Sequence, residues 1–202
     1  MEDTREEQNS SFSRKDVTAE FRKFFIKELM EIYGAEKALV AALPNLHKNA
    51  FSPQLSQAIQ EHLLETKVHV FRIEKIFELL GEEADFNTCL AMVGLIEEAG
   101  DVISDNDEDL IRDAGIILAG QKIEHYEIAS YGTMVSFAKT MGENEVAELL
   151  ALTLADEKKA DKRLTDLAEN FVNQQAITET NTLPEIEHSY SGYVSEWMPG
   201  NF

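Results

Sequence analysis

The chain has 202 residues, with 38 Asp and Glu against 18 Lys and Arg, for a formal net charge of −20. That length suits one domain with a substantial core, and the charge opposes association with nucleic acid or an anionic membrane surface while favouring cations. The single cysteine, Cys89, excludes an intramolecular disulfide and any zinc or iron–sulfur centre built on several thiolates.

Residues 1–14 are polar, lack a basic start followed by an apolar run, and read as a disordered segment rather than a secretory signal. No apolar run in the chain reaches membrane-spanning length, so the expected location is cytoplasmic. With 4 Pro and 10 Gly, long stretches run uninterrupted, and their apolar spacing is helical throughout. A first helix is expected from Asp16 to Leu43, ended by Pro44. A second starts with Ser52 as cap and Pro53 in its first turn and runs to Leu80 before Gly81. A long connection follows, in which Asn87 or Thr88 could cap a shorter helix reaching about Ile103. The third long helix spans about Glu108 to Met141, with Gly115, Gly120 and Gly132 marking close approach of neighbours, and Gly142 ends it. The fourth runs from Asn144 to about Asn173.

Short link, long crossover, short link is the connectivity of a ferritin-like four-helix bundle, all-α, with a short fifth helix in the crossover. The expected division is a bundle over 15–173 and an irregular tail over 174–202. That tail carries Tyr190, Tyr193, Trp197 and Phe202, which suit docking on the bundle or on a partner.

Acidic residues interrupt the faces that should be buried. Glu36 lies among Leu29, Ile32, Tyr33, Leu39, Val40 and Leu43 at helical spacing. On the second helix Leu55, Ile59, His62, Glu65, Thr66, His69, Ile73 and Ile76 share a stripe. On the third, Glu124 sits between Ile117, Ile128 and Tyr131 with Glu127 one turn on, whereas His125 points away. On the fourth, Glu157 has Leu150, Leu154, Ala160 and Leu164 around it, with Asp161 following. The levels agree as well. Glu36 and Glu65 are equidistant from the first link, Glu127 and Glu157 from Gly142, and Glu124 and Asp161 from the Gly142–Glu143 bond. An isolated buried carboxylate costs several kcal/mol even after relaxation, and no Lys or Arg cluster shares these stripes. Two divalent cations would balance the charge and accept carboxylate and imidazole ligands together. The plain alternative is solvated Glu residues on the bundle edges with a hydrogen-bonded core histidine.

The segments "IYGAEKAL", "EHLLETKVHVFRIEKIFELLG", "AGQKIEHYEIASYGT" and "LADEKKADKRLTDLAE", within about residues 20–170, resemble the YciE/YciF family of ferritin-like proteins. The resemblance implies a bundle related to rubrerythrin, a non-haem di-iron site, ferroxidase-type activity and a place in bacterial stress response. It assigns Glu36 and Glu124 as ligands from the first and third helices and likens Glu127 to the extra glutamate of rubrerythrin-type sites. The usual arrangement takes Glu-x-x-His from two helices, whereas this chain offers Glu65 and His69, and Glu157 and Asp161, each at a spacing of four. The two pairs echo one another, "LETKVH" against "DEKKAD", as a duplicated hairpin would.

The expected metal ligands are therefore Glu36, Glu65, His69, Glu124, Glu127, Glu157 and Asp161, with Glu65 and Glu157 bridging two irons and His62, Tyr33 and Tyr131 in support. The set is oxygen-rich enough to take manganese instead. The function expected is oxidation of Fe(II) by O2 or hydrogen peroxide. The alternatives are a peroxidase or manganese-catalase-like enzyme and a non-catalytic, stress-associated interaction protein with a vestigial site. A homodimer is expected by resemblance alone.

Overall fold

The computed structural model describes residues 14–180 and is helical from end to end: α1 Arg14–Asn49, α2 Pro53–Leu80, α3 Leu90–Asp105, α4 Leu110–Met141, α5 Asn144–Leu167, a wider π turn over Ala168–Val172, and α6 Asn173–Thr180. Among the described residues there is no strand, and no helix is long and apolar enough to cross a membrane. The all-α, ferritin-like connectivity expected from the sequence is the one observed.

Local chemistry sets most boundaries. Ser52 caps α2 through its hydroxyl, which accepts from Leu55 N–H, and Pro53 takes the first helical position, where its missing N–H costs nothing. Gly81 and Gly142 close α2 and α4 in the left-handed region, at φ 69° and 80°. Asp109 caps α4 by accepting from Ile111 and Arg112. Three boundaries differ from expectation. Pro44 lies inside α1, which continues to Asn49. A proline deletes one helical hydrogen bond, and here Leu43 and Leu46 are both buried in one core beyond that loss, while His47 packs its Nδ1 2.9 Å from the Ser56 carbonyl. The cap of α3 is Cys89, whose sulfur accepts from Met92 N–H, rather than Asn87 or Thr88. The chain also remains helical past residue 174, to Thr180, where an irregular tail was expected. The tail's aromatic residues and the N-terminal segment up to residue 13 lie outside the described residues.

Two anchors orient the bundle. Asp113, at the start of α4, accepts from Phe51 and Ser52 N–H in the α1–α2 link, so α4 begins at that end. Arg22 of α1 reaches Leu80 O and Glu82 after α2, and Glu143 in the α4–α5 link, so these three features share the opposite end. The crossover therefore climbs the full bundle, carrying α3 against α1 and α4, and each long helix runs antiparallel to the neighbours it packs on: α1 on α2 and α4, α5 on α2 and α4. Close approach is built in at two glycines. A Cβ on Gly34 would sit 1.9 Å from the Asn87 carbonyl oxygen, where the crossover docks on α1 through Asn87 N–H to Met30 O, and a Cβ on Gly115 would sit 2.6 Å from Val102.

Candidate metal centre

The middle of the core is polar. Glu36 on α1, His62 and His69 on α2, Glu124 and Glu127 on α4 and Glu157 on α5 are each no more than 7% exposed, in a core that also buries Leu29, Ile32, Leu39, Ile73, Ile123 and Leu150. They converge into two groups of candidate ligands, His62 with Glu124, Glu127 and Glu157, and Glu36 with His69 and Glu157, whose ligand atoms lie within 4.8 Å of one another. Glu157 belongs to both. His69 Nδ1 stands 2.8 Å from Glu157 Oε1 and 3.5 Å from Glu36 Oε1, and His62 Nε2 stands 3.3 Å from Glu124 Oε1. None of these approaches has the alignment of a hydrogen bond. Both nitrogens of each imidazole, both oxygens of Glu127 and Glu157, and one oxygen each of Glu36 and Glu124 are buried without a hydrogen-bond partner.

Groups outside the cluster hold it from behind. The Tyr131 hydroxyl, fully buried, donates to Glu36. His69 turns Nε2 toward Asp156 Oδ2 at 3.5 Å, and Arg72 fixes that carboxylate at 2.6 Å while reaching Thr153 at 3.2 Å. His62 turns Nδ1 toward Glu65 Oε2 at 3.9 Å, an ion-pair distance. Each imidazole therefore presents one nitrogen inward and the other toward a carboxylate, the pairing that fixes the tautomer of metal-binding histidines.

The crowding shifts the protonation equilibria. Burial raises Glu36, Glu124 and Glu127, with the neighbouring carboxylates adding to it: Glu124 is pushed up to about 8, and Glu127 rises well above the carboxylate range. Burial alone would lower the two histidines, but the surrounding carboxylates outweigh it and push His62 up to about 9 and His69 to about 10. Without a cation, the cluster is balanced by protons.

The placement departs from the sequence expectation at four residues. Glu65, expected to bridge, turns outward with its side chain 27% exposed, beside Lys159 at 3.4 Å and Arg163 at 3.8 Å. His62 and these cations hold its carboxyl down to about 2. Asp161 is 24% exposed, facing His125 at 3.3 Å and Gln121 at 3.4 Å, and is not in either group. Tyr33 donates its hydroxyl to Glu74 rather than to a cluster residue. His62, expected in support, stands inside. The helical wheel gives the reason: at 100° per residue, the buried stripe of α2 centres near His62 and His69, with Thr66 about 30° and Glu65 about 70° from its middle. Thr66, fully buried, returns its hydroxyl to the His62 carbonyl. Glu36, His69, Glu124, Glu127, Glu157 and Tyr131 stand at the cluster as the sequence placed them. The signal available for His62 was its heptad spacing from His69 on an otherwise apolar face.

Chemically the set fits a pair of hard to intermediate divalent ions. It offers four carboxylates and two imidazoles, which would bind as neutral rings once their protons leave, and four negative charges would match two divalent cations. The register of the candidate ligands differs from the usual one. Where Glu-x-x-His is standard on two helices, α2 carries Thr66 and His69 and α5 carries Glu157 and Ala160.

Fold and cluster together define the class: an all-α bundle of ferritin-like connectivity with a carboxylate–histidine cluster buried at mid-height. Within it, the chain belongs to the family described as a domain of unknown function, DUF892, whose model matches residues 20–177. It is similar to protein YciF of Escherichia coli strain K12, 45% identical over 156 residues, which cover 75% of this chain and 92% of that protein. The crystal structure of the E. coli stress protein YciF aligns with a TM-score of 0.73 at 44% identity, over 76% of this chain and 98% of that one. YcfI from Rhodopseudomonas palustris, a suggested structural protein, aligns with a TM-score of 0.70 at 34% identity, over 72% and 92%.

Proposed function

We propose that the cluster binds two divalent first-row metal ions, iron foremost, and that the protein oxidises Fe(II) in a ferroxidase-type reaction within a stress response. The observation that carries this reading is the set of buried, hydrogen-bond-free ligand atoms on Glu36, His62, His69, Glu124, Glu127 and Glu157, contributed by all four long helices. A buried polar atom left unpaired costs about 1–3 kcal/mol, and more when charged. The imidazoles and Glu157 Oε1 stand at ion-pair distances, but Glu36 Oε2, Glu124 Oε2, Glu157 Oε2 and both Glu127 oxygens have neither a hydrogen bond nor an ion pair, and a ligand they share would stabilise them.

As substrate, two Fe(II) ions each give up one electron; dioxygen takes both with two protons and leaves as hydrogen peroxide, or hydrogen peroxide takes both with two protons and leaves as two waters. The residues supply binding and charge balance. Protons held by His62, His69, Glu124 and Glu127 leave as the ions enter, so net charge in the core stays near zero. Glu157, shared by both groups, ties the two positions together. Tyr131 holds Glu36, and Asp156 with Arg72 holds His69, so the ligands meet an arriving ion already oriented. The similarity to an E. coli stress protein supports the physiological setting.

A second reading follows from the donor set. Four carboxylates to two imidazoles suit manganese as well as iron, which would fit peroxide chemistry of a manganese-catalase or peroxidase kind. The test begins with protein purified without chelator, assayed for metal content, then given Fe(II) anaerobically and exposed to O2 or to hydrogen peroxide. About two ions per chain and rapid oxidation support the first reading. O2 evolution from hydrogen peroxide by the manganese-loaded protein supports the second. A folded chain that binds no metal stoichiometrically refutes both and leaves a structural or interaction role.

A further inference from the structure

A cavity of about 40 Å³ lies between the four long helices on the α1–α2-link side of the cluster. Its walls are almost wholly apolar, and its floor is the pair His62 and Glu124. Both floor residues are more than nine-tenths buried, and both His62 nitrogens and one Glu124 oxygen lack a hydrogen-bond partner. The opening to this floor has a specific origin. Ala160 occupies the position three residues after Glu157, where the usual Glu-x-x-His motif would place an imidazole. Its small side chain leaves the space vacant and lines the cavity. Across it, Gly120 of α4 keeps the opposite wall back, for a Cβ there would stand 3.0 Å from Leu164 Cδ1.

Leu39 and Leu55 on the inner wall are 1% and 0% exposed, whereas Arg163 on α5 and Gly120 on α4 are the lining residues left partly exposed. The cavity therefore meets solvent along α5, beside Arg163, which pairs with Glu61 at 2.8 Å. The space exceeds the roughly 10–15 Å³ that one water requires, but water also needs two to four polar partners, and these stand only at the His62–Glu124 floor and at Arg163. Between them the walls are apolar, and that stretch suits an apolar molecule of two heavy atoms.

We propose that this cavity is a binding pocket for dioxygen, which enters along α5 beside Arg163 and is held between Ala160, Ile59 and Ile123 against the His62–Glu124 end of the cluster. The pocket is a feature of the chain itself; its use as the oxidant's route rests on the ferroxidase reading above.

The experiment has two arms. In the first, metal-free protein is placed under xenon, an apolar probe of dry cavities, and methyl resonances of Leu39, Ile59, Ile123 and Leu164 are followed by NMR. Saturable shifts confined to these methyls, abolished in Ala160→Leu, are expected; should that variant fold poorly, Gly120→Ala narrows the cavity from the other wall and should weaken binding. Absence of xenon from this cavity in the unsubstituted protein overturns the pocket, whatever the metal does. In the second arm, with two Fe(II) bound, Ala160→Leu should slow oxidation by O2 several-fold and raise the O2 concentration for half-maximal rate, with metal stoichiometry and oxidation by hydrogen peroxide little changed. Unaltered O2 dependence in that variant overturns the route. A chain that takes up xenon but no iron refutes the ferroxidase reading while leaving the pocket in place.

Discussion

The two helical hairpins meet at one cluster but bring opposite chemistry to it. The α1–α2 hairpin contributes one carboxylate, Glu36, and both imidazoles, His62 and His69. The α4–α5 hairpin contributes three carboxylates, Glu124, Glu127 and Glu157, and no imidazole. Within a buried site this asymmetry is complementary: the imidazoles of one hairpin, raised toward their protonated form, face the carboxyl groups of the other, of which Glu124 and Glu127 are themselves raised toward the protonated form, and neither hairpin could bury its groups alone. The polar core thus makes each hairpin depend on the other, and a pair of cations would replace the protons that now mediate between them. Each imidazole also has a carboxylate behind it, Glu65 for His62 and Asp156 for His69, whereas Glu127 and Glu157 have no hydrogen-bond partner at all.

The strongest way to break this arrangement is at the residue common to both groups. Glu157→Gln keeps shape but removes the shared negative charge, and metal content should fall from about two ions per chain toward none. The affinity loss should exceed the roughly 10–100-fold that outer partners of a metal site typically contribute. Titration with Fe(II) or Mn(II), read by calorimetry, checks it, and full occupancy in the variant would show that the α4–α5 carboxylates are not the principal ligands.

The second test concerns the protons. In metal-free protein Glu124 titrates near 8, His62 near 9 and His69 near 10, each above its ordinary value. The folded state therefore binds more protons than the unfolded chain between about pH 5 and 10, and stability falls as pH rises through that window. Loading with a redox-inert divalent ion should flatten or reverse the slope, because ions bind best where protons are lost. Denaturant midpoints with and without metal measure it. A metal-free protein that grows more stable from pH 6 to 9 would contradict the proton-balanced cluster.

Much of this molecule is legible in the sequence. The four long helices, the long crossover with its short helix, the caps at Ser52, Gly81 and Gly142, and the burial of Glu36, Glu124, Glu127 and Glu157 all follow from spacing and turn chemistry, whereas α6 was not expected. The register of α2 misled, because "LETKVH" and "DEKKAD" align Glu65 with Glu157 and His69 with Asp161. In the folded bundle, Thr66 stands level with Glu36 about the α1–α2 link, and the echo is displaced by one residue. A one-residue shift turns a helical side chain by about 100°, enough to carry Glu65 to Lys159 and Arg163. Whether α1 continues past Pro44 was equally hard to read, since one lost hydrogen bond had to be weighed against the burial of Leu46, a tertiary contact.

The imidazole hairpin can be loosened without touching a clustered group. Asp156→Asn removes the charge behind His69 Nε2 and leaves Arg72 without its 2.6 Å partner. Affinity at the position holding Glu36 and His69 should weaken by about 10–100-fold, while the position holding His62 and Glu124 is spared. Two resolved binding steps, of which only one shifts, would sharpen the view that the groups sharing Glu157 are separate positions; equal weakening of both would merge them.

The smallest effect should come from the residue that sequence alone would rank first. Glu65→Ala deletes a partly exposed carboxylate 3.9 Å from His62 and 3.4 Å from Lys159. Surface pairs of this kind contribute about 0–1 kcal/mol, so stability should barely change. Two ions should still bind, with at most the lower end of the roughly 10–100-fold loss expected for an outer partner, confined to the His62 position. The loss should also lie well below that of Glu157→Gln, although the two residues align in the sequence echo. If instead Glu65→Ala empties the site, its side chain must swing inward past His62 when metal binds, and the hairpins would be more alike in the loaded protein than in the metal-free one.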